Sequence, residues 1–242
     1  MEQLLHPSTV KIEAGESKAH ARAIVEPCYF GYGQTLGNAL RRVLLSSLPG
    51  AAVTAVKIKG VSHEFSSMEG VKEDVVEILL NLKQLNLKLH TPEARLKVDV
   101  KGKKQVTAGD IAANADAEVA NPELVIATLT DDKLEFSMDI LVEQGRGYIP
   151  VEERETKDLE LGTIAVDSIY NPVVNIGYKT EDVRVGDVTD YERLILDIET
   201  DGTIEPEEAL KQASQILVDH FSIVKDGLGG SAEPEATESS EE

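Results

Sequence analysis

Gly31-Tyr32-Gly33 stands between a strand-like run, Ala21 to Val25, and a helix-like one, where backbone amides can close on a phosphate. A dinucleotide fingerprint needs its third glycine one place earlier than Gly37, and the βα units expected beside it are missing. The segment therefore reads as a structural turn. His6, His20, His63, His90 and His220 show no spacing that puts two ligands and a carboxylate on one face. Cys28, the single cysteine, has no neighbouring base, and no GxSxG, HExxH or GxxxxGK[ST] segment occurs. Neither a catalytic residue nor a metal site is expected.

The charge balance points the same way. Lys plus Arg number 24 against 44 Asp plus Glu, a net charge of −20 in 242 residues, so the general field repels nucleic acid and anionic membranes. Direct DNA or RNA binding is disfavoured. One cysteine excludes an internal disulfide framework and fits a reducing cytoplasm. The N-terminal residues lack a basic and an apolar signal region, and no apolar run approaches a membrane span.

Chemistry being absent, the elements carry the information. Gly31 to Gly50 specifies a helix with Thr35 as N-cap and Pro49-Gly50 as its stop. At 100° per residue Leu36, Ala39, Leu40, Val43, Leu44 and Ser47 form one stripe, whereas Asn38, Arg41, Arg42 and Leu45 fall elsewhere. A helix that only covers a core keeps its far side polar. Leu45 beside two arginines instead suggests contact with another protein.

A strand is expected at Ala52 to Ile58, and a helix over Val71 to Lys83 with Val71, Val75, Ile78, Leu79 and Leu82 inward. Short strands follow at Leu85 to Leu89, Leu96 to Val100 and Leu124 to Leu129. Another takes Leu134 to Val142 in strict alternation. Thr107 can cap a helical turn at Ala108 to Ala112, and Gly145 to Pro150 reads as a loop. Strands resume at Thr163 to Val166, Val173 to Tyr178 and Leu194 to Ile198. A long helix opens at Pro206, with Leu210, Ala213, Ile216, Leu217, His220, Phe221 and Val224 on its stripe. Beyond Asp226 the Gly, Ser, Pro and Glu content predicts a disordered acidic tail or linker, taken as 228–242.

Several colinear segments carry a family resemblance: Glu26-Pro27, GYGQTLGNALRRVLLSSLPGAAVT from Gly31, HEFSSMEGVKEDVVEILLNLK from His63, GRGY at Gly145, VDSIYNPV at Val166 and DGTIEPEEAL at Asp201. Together they resemble the amino-terminal domain of the bacterial DNA-directed RNA polymerase alpha subunit. That resemblance implies an α+β fold in two parts. A dimerisation subdomain, an antiparallel sheet with two long helices at about residues 1–50 plus 170–227, is interrupted by a mostly-β insert at 51–169.

The function implied is that of a non-catalytic scaffold, a homodimer that serves as platform for the beta and beta-prime subunits and meets DNA only through the complex. Cofactors are expected on other subunits, where the magnesium and zinc of the holoenzyme lie. By the same resemblance Arg42 and Leu45, with His63, Val173 and Arg193, would face beta, and Glu77, Lys83 and Val166 beta-prime. Leu36, Leu40, Leu44, Leu210, Ala213, Leu217 and Phe221 would form the dimer interface. Location would be cytoplasmic, with the nucleoid-bound enzyme. Family members continue into a small DNA-contacting module, so promoter contacts are not assigned to these residues. An alpha-like paralogue that sequesters polymerase subunits is the competing expectation.

Overall fold

Apolar residues at every second position build two large antiparallel sheets, accompanied by two two-stranded ones, and three runs of helical period cover the large sheets, in a computed structural model that describes residues 4–154, 160–186 and 188–228. The chain opens with β1 (Thr9–Ala14), β2 (His20–Cys28) and α1 (Tyr32–Ser46), then β3 (Pro49–Ile58) and α2 (Val75–Leu82). A strand-rich stretch follows: β4 (Leu87–Leu89), β5 (Glu93–Lys101), β6 (Gln105–Thr107), β7 (Ala117–Val119), β8 (Val125–Thr128) and β9 (Glu135–Arg146). Short pieces β10 (Tyr148–Ile149), β11 (Ile164–Ala165) and β12 (Ser168–Ile169) lead to β13 (Val173–Val185), β14 (Val188–Thr200) and α3 (Pro206–Leu228).

The first sheet has the order β1-β2-β14-β13. Its register sets Val25 opposite Leu194, Ala23 opposite Leu196 and Ile176 opposite Ile198, so these side chains share one face. Leu40 and Leu44 of α1, with Ala209, Leu210 and Ala213 of α3, close that face into a core. α1 also packs directly on α3, which explains why two strong amphipathic helices lie at opposite ends of the sequence.

The second sheet runs β5-β9-β3-β4-β7, with β11 on β3. Phe136, Met138, Ile140 and Val142 alternate inward from β9, as do Ala94, Leu96, Val98 and Val100 from β5. α2 covers them with Val75, Ile78, Leu79 and Leu82. β3 joins the two cores, because it begins three residues after α1 ends and then crosses the middle of the second sheet. At its start Gly50 lies so close to the Tyr170 carbonyl that an added Cβ would sit 1.8 Å from it, which forbids any side chain there without a backbone shift.

Several boundaries differ from the sequence reading. α1 starts at Tyr32, so Thr35 is inside the helix and its hydroxyl donates to the Gly31 carbonyl at 3.2 Å. α2 starts at Val75, because Asp74 accepts from the Glu77 amide at 2.7 Å and caps the helix there, while Val71 bridges to Leu129 as extended chain. Gly145 and Arg146 belong to β9 and Tyr148-Ile149 pairs with Ser168-Ile169, so the expected loop is largely sheet. β1 was not foreseen. β13 and β14 each extend to 13 residues and form one long hairpin. Thr107 precedes a helical turn as expected, but the turn is shorter, Ala108–Asp110, with the Asp110 carboxylate accepting from the Thr107 amide at 3.0 Å. α3 reaches Leu228, while residues 229–242 of the expected tail lie outside the described residues.

Candidate functional site

The glycine turn that invited a phosphate reading is filled from within the chain. Gly31 adopts φ +79°, and the Gly31 and Gly33 amides donate to the two carboxylate oxygens of Glu192 at 3.0 and 2.9 Å. The helix N-terminus thus has its anion already, a side chain from β14. Nothing in the local sequence marks Glu192, which lies 159 residues from Gly33. Nearby Cys28 is fully buried, and burial pushes its thiol up from the ordinary value, with the Glu192 charge adding to it and a Leu194 backbone hydrogen bond opposing. An uncharged thiol is a poor nucleophile. Among the described residues no group of His, Cys, Asp and Glu could hold a metal ion, and no helix is long and apolar enough to cross a membrane.

What the surface offers instead is contact area. Arg41 and Arg42 are exposed near the end of α1, a helix without a single acidic residue, and neither is in an ion pair among the described residues. Leu45 beside them is 39% exposed. The arrangement is an apolar side chain with free guanidinium groups, suited to a carboxylate-bearing protein surface.

The other residues expected at large-subunit contacts are scattered. His63 is exposed and meets the Ser66 hydroxyl at 3.2 Å, next to exposed Phe65. Arg193 on β14 donates to Glu26 at 2.5 Å and lies 3.9 Å from Glu181, knitting three strands of the first sheet. Val166 and Val173 are buried in the second and first cores respectively, so their side chains are committed within the chain. Glu77 is exposed in the first turn of α2, whose outer side also shows Val76 and Leu80.

Lys83, at the end of α2, binds Asp167 at 2.8 Å, and Asp167 also accepts from the Val151 amide at 3.0 Å. The Lys83 hydrogen bond, helped by that amide, holds the Asp167 carboxyl below its ordinary value. A carboxyl lowered on folding stabilises the fold above its unfolded pKa, about 4, and loses that contribution as pH falls through the folded value. Lys83→Met is therefore expected to lower the melting temperature at neutral pH, by an amount that shrinks below about pH 4. Melting curves of both proteins across pH check this; a difference independent of pH contradicts it.

The residues expected at the dimer interface fall into two groups. Leu40, Leu44, Leu210 and Ala213 are buried inside the chain's own first core, with Leu36 and Leu217 partly buried against it. Phe221 is different, at 65% exposed. Around it Val218, Val224 and, at 72%, Ile223 also stand in solvent. At 100° per residue Ile223 points away from Val218, so the distal end of α3 is apolar on more than one side. Such a helix end needs covering. The α3 stripe in the sequence contained Phe221 and Val224 but missed Ile223, two turns beyond Ile216 at its edge, and Val218, which lies off it.

The chain is a strand-rich α+β fold whose Gly31–Gly33 turn is occupied by its own Glu192, with exposed apolar side chains at Leu45 and at the distal end of α3. Residues 56–171 match the family RNA polymerase Rpb3/RpoA insert domain. The chain is 45% identical over 218 residues to the DNA-directed RNA polymerase subunit alpha of Alkaliphilus oremlandii, covering 90% of this chain and 68% of the relative. Toward the subunit alpha of Alkaliphilus metalliredigens identity is 46% over 224 residues, and toward that of Oceanobacillus iheyensis 47% over 224, each covering 92% of this chain and 71% of the relative. The chain belongs to the DNA-directed RNA polymerase alpha-subunit family. It is a non-catalytic assembly subunit of that nucleotidyltransferase complex.

Proposed function

We propose that the chain homodimerises through α3 and α1 and that the dimer is the platform on which the beta and beta-prime subunits are gathered. Support comes first from the two cores, one drawn from residues 23–48 and 173–213 and the other from 53–166. This division supports reading the chain as a dimerisation subdomain made from both chain ends with an inserted mostly-β subdomain. In this reading Phe221 and its exposed neighbours on α3 meet a second copy across a two-fold axis, and an obligate interface of this kind buries on the order of 2,000 Å² or more. The buried leucines of α1 and α3 hold the two helices in place for that contact. Beta is captured at Arg42 and Leu45, with His63 and Arg193 at the margin, and beta-prime along the outer side of α2 near Glu77. Magnesium, zinc and the nucleotide chemistry belong to the large subunits. The acidic chain meets DNA only through them, in the cytoplasm.

The observation that carries the beta assignment is the unpaired Arg42 beside exposed Leu45 on a helix without acids. A central interface arginine costs about 2 kcal/mol or more when truncated, roughly thirtyfold in affinity. Arg42→Ala is thus expected to leave the dimer intact while purified beta is no longer captured at concentrations that suffice for the wild type. Unchanged capture removes the assignment. Transcription restored by this chain in a mixture lacking alpha rejects the sequestering paralogue.

A further inference from the structure

The end of α1 does not stand alone. Arg146 pairs with Pro49 at the start of β3, and the following Gly147 approaches α1 so closely that an added Cβ would lie 3.4 Å from the Ser46 carbonyl. Tyr148 and Ile169 are then cross-strand partners of one rung, while the adjacent rung, Ile149 with Ser168, turns inward. Cross-strand partners project from the same face, so Tyr148 and Ile169 form one outward pair, 59% and 57% exposed. This rung is rigidly held. Ser168 donates to the Val53 carbonyl, the Tyr170 amide donates to Gly147, and Arg154 donates to Val166 at 3.2 Å, Ile149 at 3.4 Å and the Tyr170 hydroxyl at 3.0 Å.

An isolated exposed apolar residue needs no explanation, but a fixed pair does when its strand approaches Ser46, the residue after exposed Leu45. The charge around it is as unusual as the apolar area. In a chain of net charge −20, Arg41, Arg42 and Arg146 gather here, and none is in an ion pair among the described residues. We infer that the beta-docking surface is composite: Leu45, Tyr148 and Ile169 make one apolar patch, rimmed by Arg41, Arg42 and Arg146. Its partner segment presents an apolar side chain flanked by carboxylates. The inference rests on the reading that Arg42 faces the beta subunit, and it adds a second, sheet-borne half to that site.

Full-length protein carrying Tyr148→Ser with Ile169→Ser, Arg146→Glu, or Arg42→Ala is titrated with purified beta at about 0.1 and 0.5 M salt, the range over which rim charges are screened. The double serine variant is expected to bind beta about tenfold or more weakly with its dimer mass and melting temperature unchanged, as for an apolar anchor near an interface centre. Arg146→Glu is expected to weaken binding at low salt and to flatten its salt dependence, the signature of a rim cation facing carboxylates. Binding of the double serine variant within about twofold of wild type, while Arg42→Ala has lost beta, overturns the composite patch and leaves the Arg42 site standing. An Arg146→Glu protein with wild-type affinity and salt slope overturns the acidic character of the partner segment. If Arg42→Ala also binds normally, the underlying beta assignment has failed instead.

Discussion

Glutamate in place of Phe221 is expected to convert the dimer into a folded monomer. The side chain stands in solvent in the single chain, touching neither core, so its replacement removes little from the fold of one copy. A two-fold interface counts the change twice, because each copy contributes the same residue. Burying a phenylalanine is worth roughly 1.5–3 kcal/mol, so the pair represents about 3–6 kcal/mol, or two to four powers of ten in the dimer dissociation constant. An uncompensated buried carboxylate adds to that loss. Sedimentation at micromolar concentration should show one chain's mass with unchanged circular dichroism. A dimer of normal affinity would mean that α3 is covered by something else.

Leu44→Ala is expected to do the reverse. Leu44 is fully buried on α1 and closes on Ala23, Leu194 and their neighbours within one chain. Emptying such a position costs about 2–5 kcal/mol, the transfer of the lost methyl groups plus the cavity left behind. For a domain of this size each kcal/mol moves the melting temperature by about 2–4 °C, so a fall of roughly 4–20 °C is expected. The comparison is made at one protein concentration, since dimerisation itself raises the apparent stability. A melting temperature within about one degree of wild type contradicts the assignment of Leu44 to the internal core.

These two leucine and phenylalanine positions look alike in the sequence, both on apolar stripes, and were expected together at the dimer interface. Helical period says which residues share a side, but not whether that side meets its own sheet or another molecule. The sheet decides it, through a register between strands more than 160 residues apart: β2 and β14 bring Val25 and Leu194 together under Leu44. α3 runs beyond that cover, so its far end stays bare. The strands with strict alternation, such as β9 with Phe136 to Val142, were legible because one face is buried over the whole length. β1 was missed because all six of its residues remain at least partly exposed and period two has nothing to report.

Of the candidate site, Arg42 and Leu45 were legible from the pairing of charge and apolar character on the far side of α1. Tyr148 and Ile169 were not, since they are 21 residues apart in sequence and become neighbours only through a two-residue rung. Glu192 left no sequence mark either; its role as the anion at the α1 N-terminus arises from strand pairing across the sheet. Val166 and Val173 were suggested by family resemblance alone, and burial has placed their side chains inside.

Assembly on a dimer, with separate surfaces for self-association and for beta, is tested most directly by sedimentation velocity of the wild-type chain, Arg42→Ala and Phe221→Glu, each mixed with purified beta. The account predicts a complex of two chains with beta for the wild type, a free dimer beside free beta for Arg42→Ala, and no dimer-sized species for Phe221→Glu. A wild-type chain that sediments at its own 26.3 kDa, or a dimer that passes beta without binding, would contradict it.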